Sequence, residues 1–255
     1  MAPAPHTARF AVPSRVASQA RTLRSSVDAS VAAGLSRPAR TGTRTLEVCA
    51  LLADGTTVRR EIPLPPTPPF DGAFPAFARG SLLQTPDGTV AVEDLRPGDR
   101  LRTVSGGDRI VMWIGAMTVD PTQDARLCRI MPDSFGEGRP DGHLTLAETA
   151  RILHRPPDLR GGTAPSGLLT PIRELVDAVN VAEVCPPTAV TLFHVALDRH
   201  AVIRVGGLEC ETFHPGPLPP LPGRDQALFL SIFPHLARIT DFGPLVHSRA
   251  PDAIS

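Results

Sequence analysis

Glycine and proline interrupt this sequence so often that few long helices can form in it. The chain has 21 Gly and 29 Pro among 255 residues, and both residue types favour turns over regular elements. Hydrophobic residues still make up 42% of the chain, which is enough to bury a sizeable core. The combination predicts a folded protein built from short elements joined by many turns.

The first alternating segment predicts a β-hairpin over residues 43–63. Leu46, Val48 and Ala50 alternate with polar or small residues, and a return segment with the same period ends at Ile62. Asp-Gly at 54–55 lies between the two runs, and this dipeptide is typical of tight hairpin turns. Five prolines then fall between positions 63 and 69, which predicts a stiff, extended linker over 64–75.

Beyond the linker, turn signals recur at short intervals and predict an all-β unit. We expect strands over 80–85, 89–92, 100–104, 109–114, 181–184, 189–197 and 201–205. Residues 120–142 are predicted to form a long loop, and 144–153 either a short helix or a strand. Two helical turns are predicted over 171–179, with Ile172, Leu175, Val176 and Val179 on one face. The tail after 215 is proline-rich and receives no assignment.

The N-terminal 42 residues have a different composition. They contain six Arg and one acidic residue, and one helical stripe runs from Val16 to Leu35. Such a helix could contact a membrane surface through residues 14–35, dock on a partner protein or act as a targeting segment. No Trp or Phe lies on the stripe, and this favours an arm that packs weakly on its own domain.

Charge and motifs exclude several function classes. The 26 basic and 26 acidic residues cancel, so the positive footprint of most nucleic-acid binders is missing. No apolar run is long enough for a transmembrane helix, and no secretory signal is recognised near Met1. The four Cys, none in a C-x-x-C pair, favour a reducing compartment such as the cytoplasm.

No cofactor or metal is predicted. The sequence has no phosphate loop and no dinucleotide fingerprint. His194 and His200 would lie about 20 Å apart on one strand, at 3.3 Å per residue, which is too far to bind one ion together.

Two sequence blocks resemble the Hint domain, the fold shared by hedgehog autoprocessing domains and inteins. The opening block reads A-F-A-R-G-S-L over 76–82 and T-P-D-G-T-V-A-V-E-D-L-R-P-G-D-R-L over 85–101. It is followed by V-M-W-I-G over 111–115. The closing block reads D-R-H-A-V-I over 198–203 and G-G-L over 206–208. The resemblance implies a mainly β Hint domain over 76–215 with two pseudo-symmetric halves, preceded by the arm and the hairpin and followed by a tail over 216–255.

The same resemblance implies self-cleavage chemistry, but the reacting positions are changed. In the family, a Cys or Ser at the first position attacks the preceding carbonyl, and a His in a T-x-x-H segment protonates the departing nitrogen. These two positions correspond to Ala76 and Ala150. Asp198 and His200 match assisting residues of the family and would share one face if their segment is a strand. We interpret them as the vestige of a catalytic site.

Three alternatives for function stay open. The chain could be a degenerate Hint domain without autoprocessing. It could instead be an active domain in which a substitute such as Ser81 or Cys210 replaces the nucleophile, or in which Ala76 is an engineered change. A third possibility is a protein-interaction or assembly module on a Hint scaffold, since a fold does not dictate its function.

Overall fold

The computed structural model describes residues 44–70, 74–120, 126–155 and 167–250, all within one compact unit. The predicted N-terminal helix lies outside these residues. Short strands are the main regular elements of the described chain. In order they are β1 (Arg44–Leu51), β2 (Thr57–Leu64), β3 (Phe77–Ala78), β4 (Leu82–Thr85), β5 (Gly88–Ala91), β6 (Arg100–Arg102), β7 (Asp108–Val119), β8 (Leu127–Ile130), β9 (Leu144–Ala147), β10 (Arg151–His154), β11 (Leu168–Pro171), β12 (Val181–Val184), β13 (Val190–Leu197), β14 (Val202–Val205) and β15 (Leu208–Glu211).

Helical structure is a minor part of the described residues, and the predicted all-β fold class is confirmed. One α-helix, α1 (Gly223–Ile232), follows the last strand. In the part of the chain that the structure describes, short 3₁₀ helices span Val92–Asp94, Ile172–Leu175 and Ile239–Phe242. Within the described ranges, neither α1 nor any shorter helix has the length and apolar character needed to cross a membrane.

The strands form two antiparallel sheets. The first has the order β12-β8-β9-β3-β13-β7-β1-β2, and β6 also pairs with β7. The second has the order β11-β10-β15-β14-β4-β5. Strand β7 is the longest and pairs with β1, β13 and β6, so it joins the first hairpin to the rest of the first sheet. β3 pairs with β9 in the first sheet, and residues 148–150 connect β9 to β10 of the second sheet.

The predicted hairpins are confirmed, and their turns explain why. β1 and β2 pair from Arg44–Leu64 to Leu51–Thr57, with Asp54 accepting hydrogen bonds from Thr56 at the turn. β4 and β5 also pair as predicted around the turn at 86–87. Residues 144–153 were predicted to form either a short helix or a strand. They form two strands, β9 and β10, in different sheets.

Two predictions in the middle of the chain are wrong. Residues 120–142 are not one long loop, because β8 lies within them and pairs with β9 and β12. The helical face predicted over 171–179 is also absent: Val176 and Val179 are 38% and 74% exposed. Asp177 ends the 3₁₀ turn, because its Oδ1 accepts the N–H groups of Val179, Asn180 and Val181. A side chain that binds main-chain donors in this way competes with helix formation.

The proline-rich segment after the hairpin is not an open spacer. Pro63 and Leu64 belong to β2, and Phe70 and Phe74 are buried. These two rings belong to a core that also contains Trp113 and Phe213. The segment therefore packs on the sheet through its aromatic residues, which the count of prolines did not indicate.

The tail that received no prediction covers this second core. Phe229, Ile232 and Phe233 of the α1 region are buried against Trp113. The indole Nε1 of Trp113 donates a 2.7 Å hydrogen bond to the carbonyl of Ile232. A separate core lies between the two sheets and contains Ala76, Phe77, Ala150 and Cys210.

Candidate functional site

Ala76 directly precedes the central strand β3 and is completely buried. Its N–H donates to the carbonyl of Phe193 on β13 at 3.1 Å, and its carbonyl accepts the N–H of Ala147 on β9 at 2.8 Å. Both hydrogen-bond partners of the Ala76 main chain are therefore main-chain groups of adjacent strands. The side chain itself supplies only a methyl group.

Ala150 lies in the turn between β9 and β10, close to Ala76. Its N–H donates to the carbonyl of Ala147 at 3.0 Å, and its own carbonyl accepts the N–H of Ile172 at 2.8 Å. Ala147 thus connects the two positions through its main chain, and Ala150 is buried in the same core as Ala76. The structure brings together the two positions that the resemblance assigns to nucleophile and acid.

A cavity of about 300 Å³ opens beside these two positions. Pro75, which precedes Ala76, and Thr149, which precedes Ala150, both line it. The cavity therefore borders the peptide bond that the family's chemistry would break. Its remaining walls combine charged residues with apolar residues from the strands and the tail.

His194 of β13 reaches this cavity. Its ring lies edge-on to Phe77 and Phe213, with centroid distances of 5.5 and 5.3 Å. Burial lowers the pKa of His194 to about 4, so the imidazole is neutral at physiological pH. Its Nδ1 is sealed from solvent and has no hydrogen-bond partner among the described residues.

His200 and Glu211 form a buried pair next to the cavity. The His200 Nδ1 accepts the N–H of Val246 at 3.0 Å, so in this arrangement the proton is on Nε2 and is donated to Glu211 Oε1, also at 3.0 Å. Arg249 donates to the same oxygen from Nε and Nη2, at 3.1 and 2.9 Å. Burial acts to raise the pKa of Glu211, but these hydrogen bonds and the Arg249 charge outweigh it and lower the pKa.

Asp198 does not join His200 in this network. Residues 198–201 form the turn after β13, not a strand, so the expected common face does not exist. Asp198 Oδ1 accepts the N–H of Ile110 at 3.3 Å, and Oδ2 lies 3.5 Å from Arg109 Nη1. Both contacts hold the start of β7, and Asp198 does not line the cavity.

Ser81 and Cys210, the two candidate substitutes for the nucleophile, are both buried in structural positions. The hydroxyl of Ser81 is buried and donates to the carbonyl of Ala78 at 2.6 Å. Cys210 is fully buried on β15 opposite Ile203 and Ile152, and burial raises the pKa of its thiol. A thiol kept protonated is a poor nucleophile.

Sequence reasoning missed the residues that shape the cavity. Glu211 carried one usable signal, since it is one of two glutamates on the four-residue strand β15. Arg249 carried none, because it reaches Glu211 from a tail 38 residues further along the chain. His194 was considered only as a metal ligand. Across the described ranges, no three His, Cys, Asp or Glu side chains are grouped in a way that could hold a metal ion.

Comparisons with known proteins give one family match and several solved structures of low identity. The family model described as Hint domain matches residues 75–217. Among solved structures, the bacterial intein-like domain from Clostridium thermocellum is 14% identical, with 55% of this chain and 99% of that chain covered and a TM-score of 0.38. The MchDnaB-1 intein is 16% identical (54% and 100% covered, TM-score 0.34), and the gp41-1 intein 13% identical (53% and 96% covered, TM-score 0.35). No curated protein matches this chain.

Proposed function

This chain belongs to the Hint domain family, and on that premise we propose that it is a member that does not cleave itself. The observation that carries the proposal is the pair of buried alanines at the two reacting positions. Ala76 and Ala150 lie where the family's chemistry needs a nucleophile and a proton donor. The fold is kept, while the two groups that would react are methyl groups.

The first step of the family's chemistry needs a heteroatom next to the carbonyl of Pro75. An acyl shift forms a bond between a sulfur or oxygen and that carbonyl, and the bond to the nitrogen of residue 76 breaks. Ala76 has no atom that can form the new bond. The buried thiol of Cys210 and the hydrogen-bonded hydroxyl of Ser81 give no support to a substitute.

The second step needs a proton for the departing nitrogen. General acid–base assistance by a positioned side chain contributes about 10² to 10⁴-fold to a rate. Ala150 offers no proton, and the imidazole of His194 is a weak base because burial lowers its pKa to about 4. Asp198 accepts a hydrogen bond from the start of β7, and the Nε2–H of His200 already donates a hydrogen bond to Glu211. The contacts of Asp198 and His200 thus favour a structural role over a catalytic one.

Restoring the two groups tests this proposal. We expect Ala76→Cys alone to give slow cleavage before residue 76 that depends on added thiol. Ala76→Cys combined with Ala150→His should cleave faster, because the double variant regains both nucleophile and acid. Mass spectrometry of each purified protein measures the fraction cleaved over time. Circular dichroism checks that each variant keeps the β-rich spectrum.

Ala78→Cys is the matched control. Ala78 lies on β3, two residues after Ala76, and is also buried. A thiol there is also buried but does not belong to the residue that follows the carbonyl of Pro75, so this variant should remain uncleaved. If the folded double variant behaved like Ala78→Cys, the assignment of the two reacting positions would be wrong.

A further inference from the structure

Three arginines surround one buried carboxylate on the second sheet. The side chain of Glu209 on β15 is only 7% exposed, and its Oε2 lies 2.6 Å from Arg155 Nη1 and 3.2 Å from Arg139 Nη2. Its Oε1 lies 3.9 Å from Arg204 Nη2. We call these four residues the arginine cluster. In the parts of the chain that the structure describes, none of its guanidinium groups forms an ion pair with a second carboxylate.

The topology of the second sheet brings the arginine cluster together. β15 lies between β14 and β10, and Arg204 of β14 stands directly opposite the glutamate. Arg155 directly follows β10 on the other side. Arg139 comes from the connection between β8 and β9, which is held on the turn after β14 because the N–H of Asp141 donates to the carbonyl of Gly206 at 3.0 Å. Three separate segments thus place guanidinium groups around one carboxylate.

The charges within the arginine cluster do not cancel. Its three guanidinium groups stay protonated in a protein, so they carry three positive charges against the one negative charge of Glu209. The arginine side chains are 37% to 47% exposed, so part of each remains in contact with water. One carboxylate also cannot accept all the N–H donors of three guanidinium groups. Two positive charges and several N–H donors are therefore left for an anion from solution.

A phosphate monoester matches these charges and donors. It carries about −1.5 to −2 charges near neutral pH, close to the excess of the cluster. Its three terminal oxygens can accept hydrogen bonds from several guanidinium groups, and arginine binds phosphate through two parallel bonds. A carboxylate or a phosphate diester would offset only one of the two charges. We propose that the arginine cluster binds the phosphate group of a phosphate monoester.

The arginine cluster is separate from the position of the lost chemistry. None of its four residues lines the cavity beside Pro75. The proposal therefore goes beyond the proposed function and does not depend on it. The intact mass of the samples used for binding shows independently whether the chain is uncleaved, so failure of either proposal leaves the other standing.

His247 reports on the charge of the arginine cluster. Burial lowers the pKa of His247, the positive charges of Arg155 and His200 lower it further, and Glu209 acts in the opposite direction. A bound dianion offsets the charge of Arg155, so the pKa of His247 should rise. Proton NMR measures this as a shift of the His247 titration midpoint to higher pH with saturating ligand, and His247→Gln assigns the signal. An unchanged midpoint would overturn the placement of the site.

Methyl phosphate is a suitable probe because it is a small dianion with no other polar group. We expect isothermal titration calorimetry slightly above neutral pH and at low salt to show saturable binding in the millimolar range or tighter. Dimethyl phosphate, the matched monoanion, should bind at least about tenfold more weakly, because it offsets only one positive charge. Added salt should weaken the binding, since the arginines are exposed. Equal binding of both esters, or no saturable binding of methyl phosphate, would overturn the proposal.

The same phosphate group occurs on small metabolites and on phosphorylated side chains of proteins. A short neutral peptide with one phosphoserine separates these two sources. Affinity equal to that of methyl phosphate assigns the site to small phosphate esters, and clearly tighter binding assigns it to a phosphorylated partner. A peptide with two adjacent glutamates in place of the phosphoserine should bind weakly. Binding of this acidic peptide as tight as that of the phosphopeptide would overturn the assignment to phosphate.

Variants of the arginine cluster test the site in both directions. Arg204 is exposed and lies farthest from Glu209, so Arg204→Met should fold normally and weaken the binding of methyl phosphate about tenfold. Arg129→Met is the matched control, because Arg129 is an exposed residue of β8 outside the cluster. Glu209→Gln removes the negative charge and should tighten the binding severalfold, with circular dichroism as the check of folding. Wild-type affinity in Arg204→Met, equal losses in Arg204→Met and Arg129→Met, or weaker binding by folded Glu209→Gln would overturn the proposal.

Discussion

His194 lies between the rings of Phe77 and Phe213, and this environment determines its protonation. Burial removes the water that would solvate an imidazolium, which is why the pKa falls from 6.5 to about 4. In the unfolded chain the same residue takes up a proton near 6.5. The folded state therefore loses stability as the pH falls from 6.5 towards 4.

Replacing this histidine should reduce the sensitivity of the protein to acid. A pKa difference of this size corresponds to about 3 kcal/mol of stability that is present near neutral pH and lost by about pH 4. In His194→Phe the ring is kept and the titration is removed, so the free energy of unfolding should fall less between these pH values than in the wild type. Urea denaturation followed by circular dichroism at each pH measures the difference. Equal losses in both proteins would show that His194 is not buried as described.

Glu211 is a second residue whose charge depends on its neighbours. Removing one partner of a buried ion pair leaves an uncompensated charge, which costs about 3–5 kcal/mol. Arg249→Met should cost about 3 kcal/mol, at the low end of that range, because His200 still donates to Glu211. Arg238→Met is the control, since Arg238 is exposed and paired with Asp241, and should cost less than about 1 kcal/mol. Chemical denaturation that gave equal costs for the two variants would contradict this account of Glu211.

At the scale of elements, the tail is attached to the sheet mainly by aromatic packing. Phe233 follows α1 and contacts Trp113, Phe213 and Phe74, with ring centroids 4.8, 4.9 and 6.1 Å away. Phe229 and Phe242 complete the ring cluster around it. The helix thus covers the face of β7 that the two-sheet core leaves open.

Truncating Phe233 should destabilise the whole protein. Phe→Ala changes in a core typically cost about 3–5 kcal/mol, because both burial and packing are lost. We expect Phe233→Ala to lower the free energy of unfolding by this amount in one cooperative transition. Val246→Ala, in the same tail but half-exposed, should change it by less than about 0.5 kcal/mol. A separate early transition for Phe233→Ala would show that the tail unfolds independently of the sheets.

Elements with strong local signals were predictable from the sequence, and those set by tertiary contacts were not. Asp54-Gly55 supplies the turn of the first hairpin, so its strands follow from the local pattern. The helix α1 begins after a proline-rich stretch at Gly223, where local propensity for a helix is weak. The helical turns predicted up to Val179 fail because Asp177 binds the main chain ahead of it.

In the candidate site, too, local sequence signals were predictable and tertiary contacts were not. The resemblance identified Ala76 and Ala150, and the structure brings both to one place. The cavity walls come from β10, β13, β15 and the tail, which are far apart in the sequence. No periodicity within one segment can indicate such a combination of residues.

At the scale of the whole molecule, the Hint region is continuous with its flanking segments. The family match covers 75–217, but β1 extends the first sheet from outside it by pairing with β7. The tail adds α1, whose Ile232 is bonded to Trp113, and Arg249 of the tail binds Glu211 inside the Hint region. The segments at both ends therefore stabilise the region in which self-cleavage would take place.

The intact mass of the unmodified protein tests the central claim most directly. Purified protein should be incubated for days at neutral pH, alone, with dithiothreitol and with hydroxylamine, and followed by mass spectrometry. Because position 76 has no heteroatom and position 150 has no proton to give, we expect a single species at 27.1 kDa under all three conditions. Two fragments that meet at the Pro75–Ala76 bond would contradict the account and would show that another group in the chain performs the chemistry.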